Sequence, residues 1–301
     1  MPGDLDGNML KIKTYGDRNP MSGLLQLEKA WKELGYEITD FEPDILYHST
    51  GFFSDLLEDS KKYPNAIKIG CLLDANPLNK NWGPPSIVRD QLLQLDIPIT
   101  ISNTAQKQIM NRTGVKCQVV YYPIKNLTKL KYPSRGIRML VVGRVYSQNK
   151  RLQLIHDTAE KYCGDPEQIV FVGPEKPPFG IYGGLVDEEM LNVCYNSTVF
   201  LLGLSSVEGM YLSPLEACTV NTIPIVTSDN ECMGEFDLIK HFAAEPHPIK
   251  LANKMKEIEK NFDKYQDIAN QLGEKFKNRF SAKMIAQNIL DLYWAYKKKL
   301  Q

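Results

Sequence analysis

The sequence predicts an α/β protein with two doubly wound domains, each built on a parallel sheet covered by helices. Short apolar runs alternate with amphipathic stretches almost from end to end, which is the pattern of parallel strands joined by crossover helices. The alternation starts afresh after a segment at 123–136 that is rich in Pro and Lys and typical of a linker. With 301 residues, 43% of them hydrophobic, the chain can form two such cores.

The first half begins with a strand-like run at 9–15, followed by residues 22–35 with helical spacing and Gly35 as a stop. The helix at 103–114 has Asn103 as its predicted cap and Gly114 as its end. The remaining elements are strands at 36–41, 44–50, 66–73, 97–102 and 115–122 and a helix at 86–96.

The second half repeats the alternation of buried-looking strands and helices, and from about Pro248 to the end it is helical. Its predicted strands are 137–143, 168–173, 181–186, 198–204 and 222–228, and its helices are 150–162 and 187–196. Two such sheets in tandem predict a cleft between them, with ligands bound at the carboxyl ends of the strands.

Charge is unevenly distributed, although the formal net charge is zero and the chain as a whole does not read as a nucleic-acid clamp. Between Ile97 and His156 there is no Asp or Glu, and eleven cations fall there. They are Lys107, Arg112, Lys116, Lys125, Lys129, Lys131, Arg135, Arg138, Arg144, Lys150 and Arg151. This zone predicts a bound anion, and the alternative is a surface whose acids come from elsewhere in space.

The cysteines and the termini favour a reduced, cytoplasmic protein. Six cysteines occur singly without a C-x-x-C pair, so neither a zinc site nor a disulfide framework is indicated. The first residues lack a signal-peptide core, and no 18-residue apolar run occurs. Peripheral membrane contact remains open because the basic zone could meet anionic lipid, although no amphipathic anchor is evident.

The first candidate site is the loop that follows the strand at 137–143. Gly143 ends the strand, Arg144 follows at once, and Lys150 and Arg151 open the next predicted helix. Two cations and a helix N-terminus can hold one anion together. The alternative is a surface turn with unrelated cations.

The second candidate site is the stretch "EGMYLSPLEAC", which begins at Glu208. Glu208 ends an apolar run, where a carboxylate would face the cleft, and Gly209 allows a close backbone approach to a ligand. Ser213, Pro214 and Glu216 also fit a capping box, in which Glu216 would serve its own backbone. The residues alone leave both readings of Glu216 open.

These motifs together resemble the C-terminal domain of the retaining GT-B glycosyltransferases of family 4. That family has a Gly-Arg and Lys loop, a "D-E-E-L" helix, an E-x7-E motif and a following strand, and here the E-x7-E positions are Glu208 and Glu216. The resemblance extends more loosely to residues 21–39, 98–114, 119–124 and 278–298. It implies two Rossmann-like domains, an acceptor-side domain at 1–133 and a nucleotide-sugar-binding domain at 134–281, followed by a terminal helix at 282–301 that crosses back to the first domain.

The resemblance implies a role for each matching residue. Arg144 and Lys150 would hold the diphosphate of a nucleotide-sugar donor, and Glu216 would accept hydrogen bonds from the ribose. Glu208 would lie beside the transferred sugar. The further donor-binding positions are Gly143, Arg151, Gly184, Leu185, Gly209, Met210, Tyr211, Leu212 and, in the closing loop of the first domain, Gly23.

The sequence departs from the family pattern mainly on the acceptor side. The family's His-Asp/Glu pair reads here as Leu73 and Asp74, and Tyr211 stands where a second glycine is usual. The Arg-to-Lys spacing is one residue longer, so Lys150 and Arg151 compete as phosphate ligands. His48 is a second acceptor-side candidate, although a single His at a strand end also fits a structural role.

The predicted function is retaining, metal-independent transfer of a sugar from a nucleotide diphosphate donor to an unknown hydroxyl acceptor. No cofactor and no metal are expected, since "DLDG" at 4–7 lacks the remaining ligands of a calcium loop. The alternative is a nucleotide-sugar-binding protein that has lost transfer and acts through partners. A dehydrogenase is disfavoured because no G-x-G-x-x-G follows the first strand of either half.

Overall fold

The computed structural model describes residues 9–16, 23–49, 51, 53–73, 84–131 and 135–301. They form two compact units, Met1–Pro123 with Phe280–Gln301 and Ile124–Arg279. Each unit contains a six-stranded sheet in which every pair of neighbouring strands is parallel. The predicted fold class, two parallel sheets with flanking helices, is therefore confirmed.

The strands of the first unit are β1 Lys11–Tyr15, β2 Glu37–Ile38, β3 Ile45–His48, β4 Ile67–Leu72, β5 Ile97–Thr100 and β6 Gln118–Val119. Those of the second unit are β7 Ile137–Val142, β8 Ile169–Val172, β9 Ile181–Gly184, β10 Thr198–Gly203, β11 Ile223–Thr227 and β12 Ala243–Ala244. The central strands are almost wholly buried, as parallel strands covered on both faces must be.

The helices of the described chain are α1 Gly23–Glu33, α2 Ser54–Asp59, α3 Pro85–Leu92, α4 Asn103–Thr113, α5 Leu152–Cys163, α6 Glu188–Asn196, α7 Leu212–Thr219, α8 Glu231–Gly234, α9 Leu238–Phe242, α10 Pro248–Lys260, α11 Phe262–Arg279 and α12 Ala282–Leu300. The helices α1 to α4 and α12 belong to the first unit. Within the described ranges, none has the combination of length and apolarity that crossing a bilayer requires.

Strand order gives each sheet one topological switch point, where successive crossovers leave in opposite directions. The first sheet has the order β2-β1-β3-β4-β5-β6, so its switch point lies between β1 and β3. The second has the order β12-β11-β10-β7-β8-β9, so its switch point lies between β7 and β10. Ligands of open parallel sheets bind at the carboxyl ends of the strands at this point.

The last helix, α12, packs within the first unit on a face that the sequence marks as apolar. Trp31 of α1 is fully buried, and its indole Nε1 donates to the carbonyl of Ala286 on α12 at 3.2 Å. A buried indole N–H needs such a partner. This contact joins α12 to α1, which is consistent with residues 280–301 belonging to the same unit as the start of the chain.

The predicted linker belongs to the second unit, and the division falls after Pro123 rather than after residue 133. The backbone amides of Thr128 and Leu130 donate to the side-chain oxygens of Asn192 and Asn196 on α6, each at 2.9 Å. These hydrogen bonds satisfy backbone amides at 124–131, a described stretch without a helix or strand of its own.

Two helices begin elsewhere than the sequence predicts. The cap of α4 is Ser102, whose hydroxyl accepts from the amide of Ala105 at 2.9 Å, so Asn103 already lies inside the helix. Residues 148–150 form a 3-10 turn, and Arg151 has φ 54°. Because that left-handed conformation interrupts the helix, α5 begins at Leu152 instead of Lys150.

A single glycine allows α11 to pack closely on α7, the helix that carries Glu216. A Cβ atom at Gly273 would lie 2.2 Å from the carbonyl oxygen of Cys218 and 2.6 Å from its carbonyl carbon. Because both are backbone atoms, the steric overlap could be relieved only by movement of a helix.

We expect Gly273→Ala to destabilise the protein by about 1–3 kcal/mol, because overpacking outweighs the gain of helix propensity, about 1 kcal/mol. Urea denaturation measures this free energy of unfolding. Gln271→Ala, at an exposed position of the same helix, is the control and should change it by less than about 0.5 kcal/mol. Equal stability of Gly273→Ala and the wild type would show that the two helices are not in this close contact.

Candidate functional site

Three loops at the carboxyl edge of the second sheet contain most of the predicted site residues. They follow β7 at 143–151, β10 at 204–211 and β11 at 228–230. The first two flank the switch point of that sheet. The fold therefore brings the Gly-Arg motif and the E-x7-E motif to the place where such sheets bind ligands.

Glu208 is held by three hydrogen bonds to one of its two carboxylate oxygens. Oε1 accepts from Lys150 Nζ at 2.5 Å, from Ser205 Oγ at 2.6 Å and from Asn149 Nδ2 at 3.3 Å. No described residue donates to Oε2. The carboxylate is therefore fixed in orientation and retains one oxygen that can accept hydrogen bonds from a ligand.

Asn149 connects the loop after β7 to the loop after β10, although no sequence pattern singles it out. Its amide nitrogen also donates to the carbonyl of Val207 at 3.0 Å, and its own carbonyl accepts from the amide of Ser206 at 2.9 Å. The side chain is buried. Asn149 and Ser205 are polar residues in loops, and their role becomes visible only when the two loops are adjacent.

Tyr211, which stands where the family has a glycine, turns its side chain inward. Its ring is buried, and the Lys150 ammonium lies 4.5 Å from the ring centroid. Gly203 leaves room for the ring, since a Cβ atom there would lie 3.3 Å from Tyr211 Cε1. Burial raises the pKa of Tyr211. The tyrosine thus supports Lys150 by a cation–π contact.

The buried thiol of Cys232 holds the loop between Glu208 and α7. Its Sγ donates to the carbonyl of Gly209 at 3.2 Å. Burial raises the pKa of the thiol to about 12, so it is protonated at neutral pH. The thiol therefore serves as a hydrogen-bond donor that fixes the backbone of this loop.

Glu216 is not part of a capping box. The helix α7 begins at Leu212 with Tyr211 as its cap residue, so Ser213 lies within the helix. The carboxylate is 2% exposed and accepts from Tyr195 Oη at 3.0 Å and from the Lys125 amide at 3.2 Å, while Lys125 Nζ lies 3.6 Å away. Burial, and then the charge of Glu216, raises the pKa of Tyr195 well above its usual value.

Arg151 pairs with Asp229, in the loop after β11. Its guanidinium makes a bidentate contact in which Nη1 donates to Oδ1 at 3.0 Å and Nη2 donates to Oδ2. Burial raises the pKa of Asp229, but the hydrogen bonds from Arg151 and Thr227 and the charge of Arg151 together outweigh it, so the net pKa is lowered. Of the two competing cations, Lys150 thus lies beside Glu208 and Arg151 beside Asp229.

Arg144 is exposed to solvent, unlike Lys150 and Arg151. It follows Gly143, whose φ of 110° favours glycine and whose amide donates to the carbonyl of Val172 at 2.8 Å. The edge strand β9 ends at Gly184, which has φ 74°. Leu185 follows the strand and is 62% exposed.

The basic zone is partly compensated by acids from later in the chain. Four of its cations form ion pairs: Lys125 with Glu216, Arg138 with Glu259, Lys150 with Glu208 and Arg151 with Asp229. For these four cations the finding agrees with the alternative, in which the acids come from elsewhere in space. Folding brings sequence-distant acids to them, which charge counting along the chain cannot show.

The structure resembles solved glycosyltransferases over nearly its whole length. HepE from Anabaena, in complex with UDP and glucose, aligns with a TM-score of 0.72 and 13% identity over 96% of this chain and 100% of that chain. Sucrose-phosphate synthase from Thermosynechococcus elongatus gives 0.73 and 13% over 97% and 100%. A glycosyltransferase from Rickettsia africae ESF-5 gives 0.72 and 14% over 97% and 99%.

The chain has the GT-B fold. No protein-family model and no curated protein matches the sequence. At this level of identity, the likeness establishes the fold, and the chemistry has to be argued from the residues of this chain.

The first unit of this GT-B protein contributes two predicted residues at its own switch point. Gly23 is buried at the start of α1, where a Cβ atom would overlap the ring of Tyr122 at 2.2 Å. His48 ends β3, is buried, and lies 3.2 Å from Asp55 Oδ1 through Nε2. Burial lowers the pKa of His48 despite Asp55, so the imidazole is neutral at pH 7. Asp74, the other acceptor-side candidate, lies outside the described residues.

One group of side chains on α5 has ligand atoms close enough for a metal ion. His156, Asp157 and Glu160 bring a ring nitrogen and two carboxylates within 4.8 Å of one another. The imidazole Nδ1 already lies 2.9 Å from the Asp157 carboxylate, and Glu160 is exposed. Exposed acidic groups of this kind are common without a metal.

We expect Glu216→Ala to cost about 3 kcal/mol of unfolding free energy, at the lower end of the cost of breaking a buried ion pair. The variant leaves Lys125 and the Tyr195 hydroxyl without their partner. Glu216→Gln should cost less because its amide oxygen can still accept. The control is Glu274→Ala, which removes an exposed partner of Lys277 and should change stability by less than about 1 kcal/mol. Equal losses in the two alanine variants, measured by urea denaturation, would contradict this account of Glu216.

Proposed function

We propose that this protein is a retaining glycosyltransferase that transfers a sugar from a nucleotide diphosphate-sugar to a hydroxyl acceptor. The observation that carries the proposal is the arrangement at the switch point of the second sheet. Glu208 presents an open carboxylate oxygen there, Lys150 lies 2.5 Å from its other oxygen, and Arg144 is exposed at the end of the neighbouring strand. The complexes of HepE with UDP and UDP-glucose support this class of donor.

In the proposed reaction, the bond between the anomeric carbon and the diphosphate oxygen breaks as the acceptor oxygen bonds to that carbon. The acceptor attacks from the face that the diphosphate leaves, and a phosphate oxygen takes the acceptor proton. Negative charge builds up on the diphosphate, where Arg144 and Lys150 stabilise it. In this proposal the two side chains supply the positive charge, and no metal is needed for that role.

The two glutamates have different parts in this proposal. Oε2 of Glu208 accepts hydrogen bonds from hydroxyls of the transferred sugar, and the three donors on Oε1 keep it in place. Glu216 accepts from the ribose hydroxyls. Because its oxygens are engaged by Tyr195 and Lys125 in this structure, it must change or share partners when the donor binds.

The fit of Lys150 to a diphosphate follows from the chemistry of its contacts. Its ammonium has three N–H donors, and one described carboxylate, that of Glu208, accepts from it. The Tyr211 ring beneath it adds a cation–π attraction. The ion pair with Glu208 keeps the ammonium at the switch point, where its positive charge would meet an incoming diphosphate.

The alternative is a nucleotide-sugar-binding protein without transfer activity. The observation that favours it is the loop at 209–211, where the Tyr211 ring is buried and the Gly209 carbonyl accepts from Cys232 at 3.2 Å, so the protein's own side chains hold the loop in place. Under this alternative the donor binds but is neither transferred nor hydrolysed.

We expect Arg144→Ala and Lys150→Ala each to lower turnover of a nucleotide diphosphate-sugar by about 100-fold, since each removes a cation that stabilises the leaving group. Donors are first selected by thermal shift with a panel of such sugars, because binding to the native state raises its stability. Turnover is then measured as release of nucleoside diphosphate. The control is Lys161→Ala, which removes an exposed lysine near the end of α5.

Glu216→Gln is the third variant, chosen because it perturbs folding less than alanine does, and it should weaken donor binding. Turnover that is unchanged in all three variants would reject the assignment. Donor binding by the wild type with neither transfer nor hydrolysis would favour the alternative.

A further inference from the structure

The loop that carries Arg144 is fastened to the loop after β8 by one carboxylate oxygen. The backbone amides of Val145 and Tyr146 both donate to Glu175 Oε2, at 2.8 and 3.0 Å. The Tyr146 hydroxyl also donates to the carbonyl of Lys176 at 2.6 Å. Successive amides that point at one oxygen form an anion-binding concavity, and Glu175 occupies it directly beside Arg144.

The two loops also start from strand ends that are in close backbone contact. The Gly143 amide donates to the carbonyl of Val172 at 2.8 Å. A Cβ atom at Gly173 would lie 2.2 Å from the Gly143 carbonyl oxygen. The backbone is thus constrained on both sides of Arg144. Gly143, before it, contacts the end of β8, and Val145 and Tyr146, after it, are bonded to Glu175.

We propose that Glu175 is a positioning residue that fixes the backbone of the loop from which Arg144 reaches the diphosphate. The importance of Arg144 rests on the proposed function, whereas the fastening of the loop does not. The negative charge of Glu175 beside Arg144 would repel a diphosphate. Its structural role in holding the loop offsets this disadvantage. By filling the amide concavity, Glu175 leaves the Arg144 and Lys150 side chains as the phosphate ligands.

The fastening holds at neutral pH. Hydrogen bonds from the Tyr146 and Val145 amides lower the pKa of Glu175 below its usual value. A carboxylate with a lowered pKa contributes stability above its unfolded pKa, and this contribution is lost as the pH falls through the folded pKa. The loop is therefore held over the whole neutral range.

Two substitutions separate the hydrogen bonds of Glu175 from its charge. Both amides donate to the same oxygen, so Glu175→Gln keeps an acceptor for them and removes the charge. Glu175→Ala removes both. Glu160→Ala is the control, because it removes an exposed glutamate near the far end of α5.

The first measurement is hydrogen–deuterium exchange of the peptide that spans 143–147 in the free protein. Exchange of these amides should be faster in Glu175→Ala than in the wild type, because two amides lose their acceptor. It should be close to wild type in Glu175→Gln and in the control.

The second measurement is calorimetric titration with UDP. Glu175→Ala should bind UDP about tenfold more weakly because Arg144 is displaced. Glu175→Gln should bind UDP as tightly as the wild type or more tightly, since it keeps the loop in place and removes a repelling charge.

Wild-type exchange at 143–147 in Glu175→Ala would overturn the proposal, and so would tighter UDP binding by that variant, which would show that phosphate uses the amides. Equal losses of UDP affinity in the Gln and Ala variants would also overturn it. A wild type that does not bind UDP would reject UDP as a donor nucleotide, and the exchange data would still decide whether Glu175 fixes the loop.

Discussion

The candidate site depends on the contact between Lys150 and one oxygen of Glu208. The lysine comes from the loop after β7 and the glutamate from the loop after β10, so the contact joins the two strands that flank the switch point. Ser205 and Asn149 donate to the same oxygen, and Asn149 also bonds the backbone of the facing loop. This network fixes both charges before a ligand arrives, and such preorganisation makes electrostatic stabilisation effective.

A second layer of interactions supports this network from below. Tyr211 lies beneath the Lys150 ammonium, and the Cys232 thiol donates to the backbone carbonyl of Gly209. Gly203 and Gly273 let the tyrosine and the α7 helix approach their neighbours closely. Tyr211 is therefore built into the packing around Lys150 and Glu208.

The sequence was sufficient for the fold because periodicity reports burial, and buried strands and amphipathic helices alternate along this chain. It was also sufficient to bring Arg144, Lys150 and Glu208 to one sheet edge, since motifs after parallel strands must meet there. It could not identify Asn149, Ser205 or Glu175, because their roles depend on adjacency of loops far apart in sequence. The same limit applies to Glu216. Its spacing from Ser213 matches a capping box, but its carboxylate is bonded to Tyr195 and Lys125, which are distant in sequence.

The most direct test of the central claim is a crystal structure of the protein with bound UDP. The account predicts the diphosphate at the carboxyl ends of β7 and β10, within hydrogen-bond distance of Arg144 and Lys150, with Glu175 still bonded to the amides of Val145 and Tyr146. A diphosphate bound elsewhere, or one that leaves both Arg144 and Lys150 without contact to it, would contradict the account.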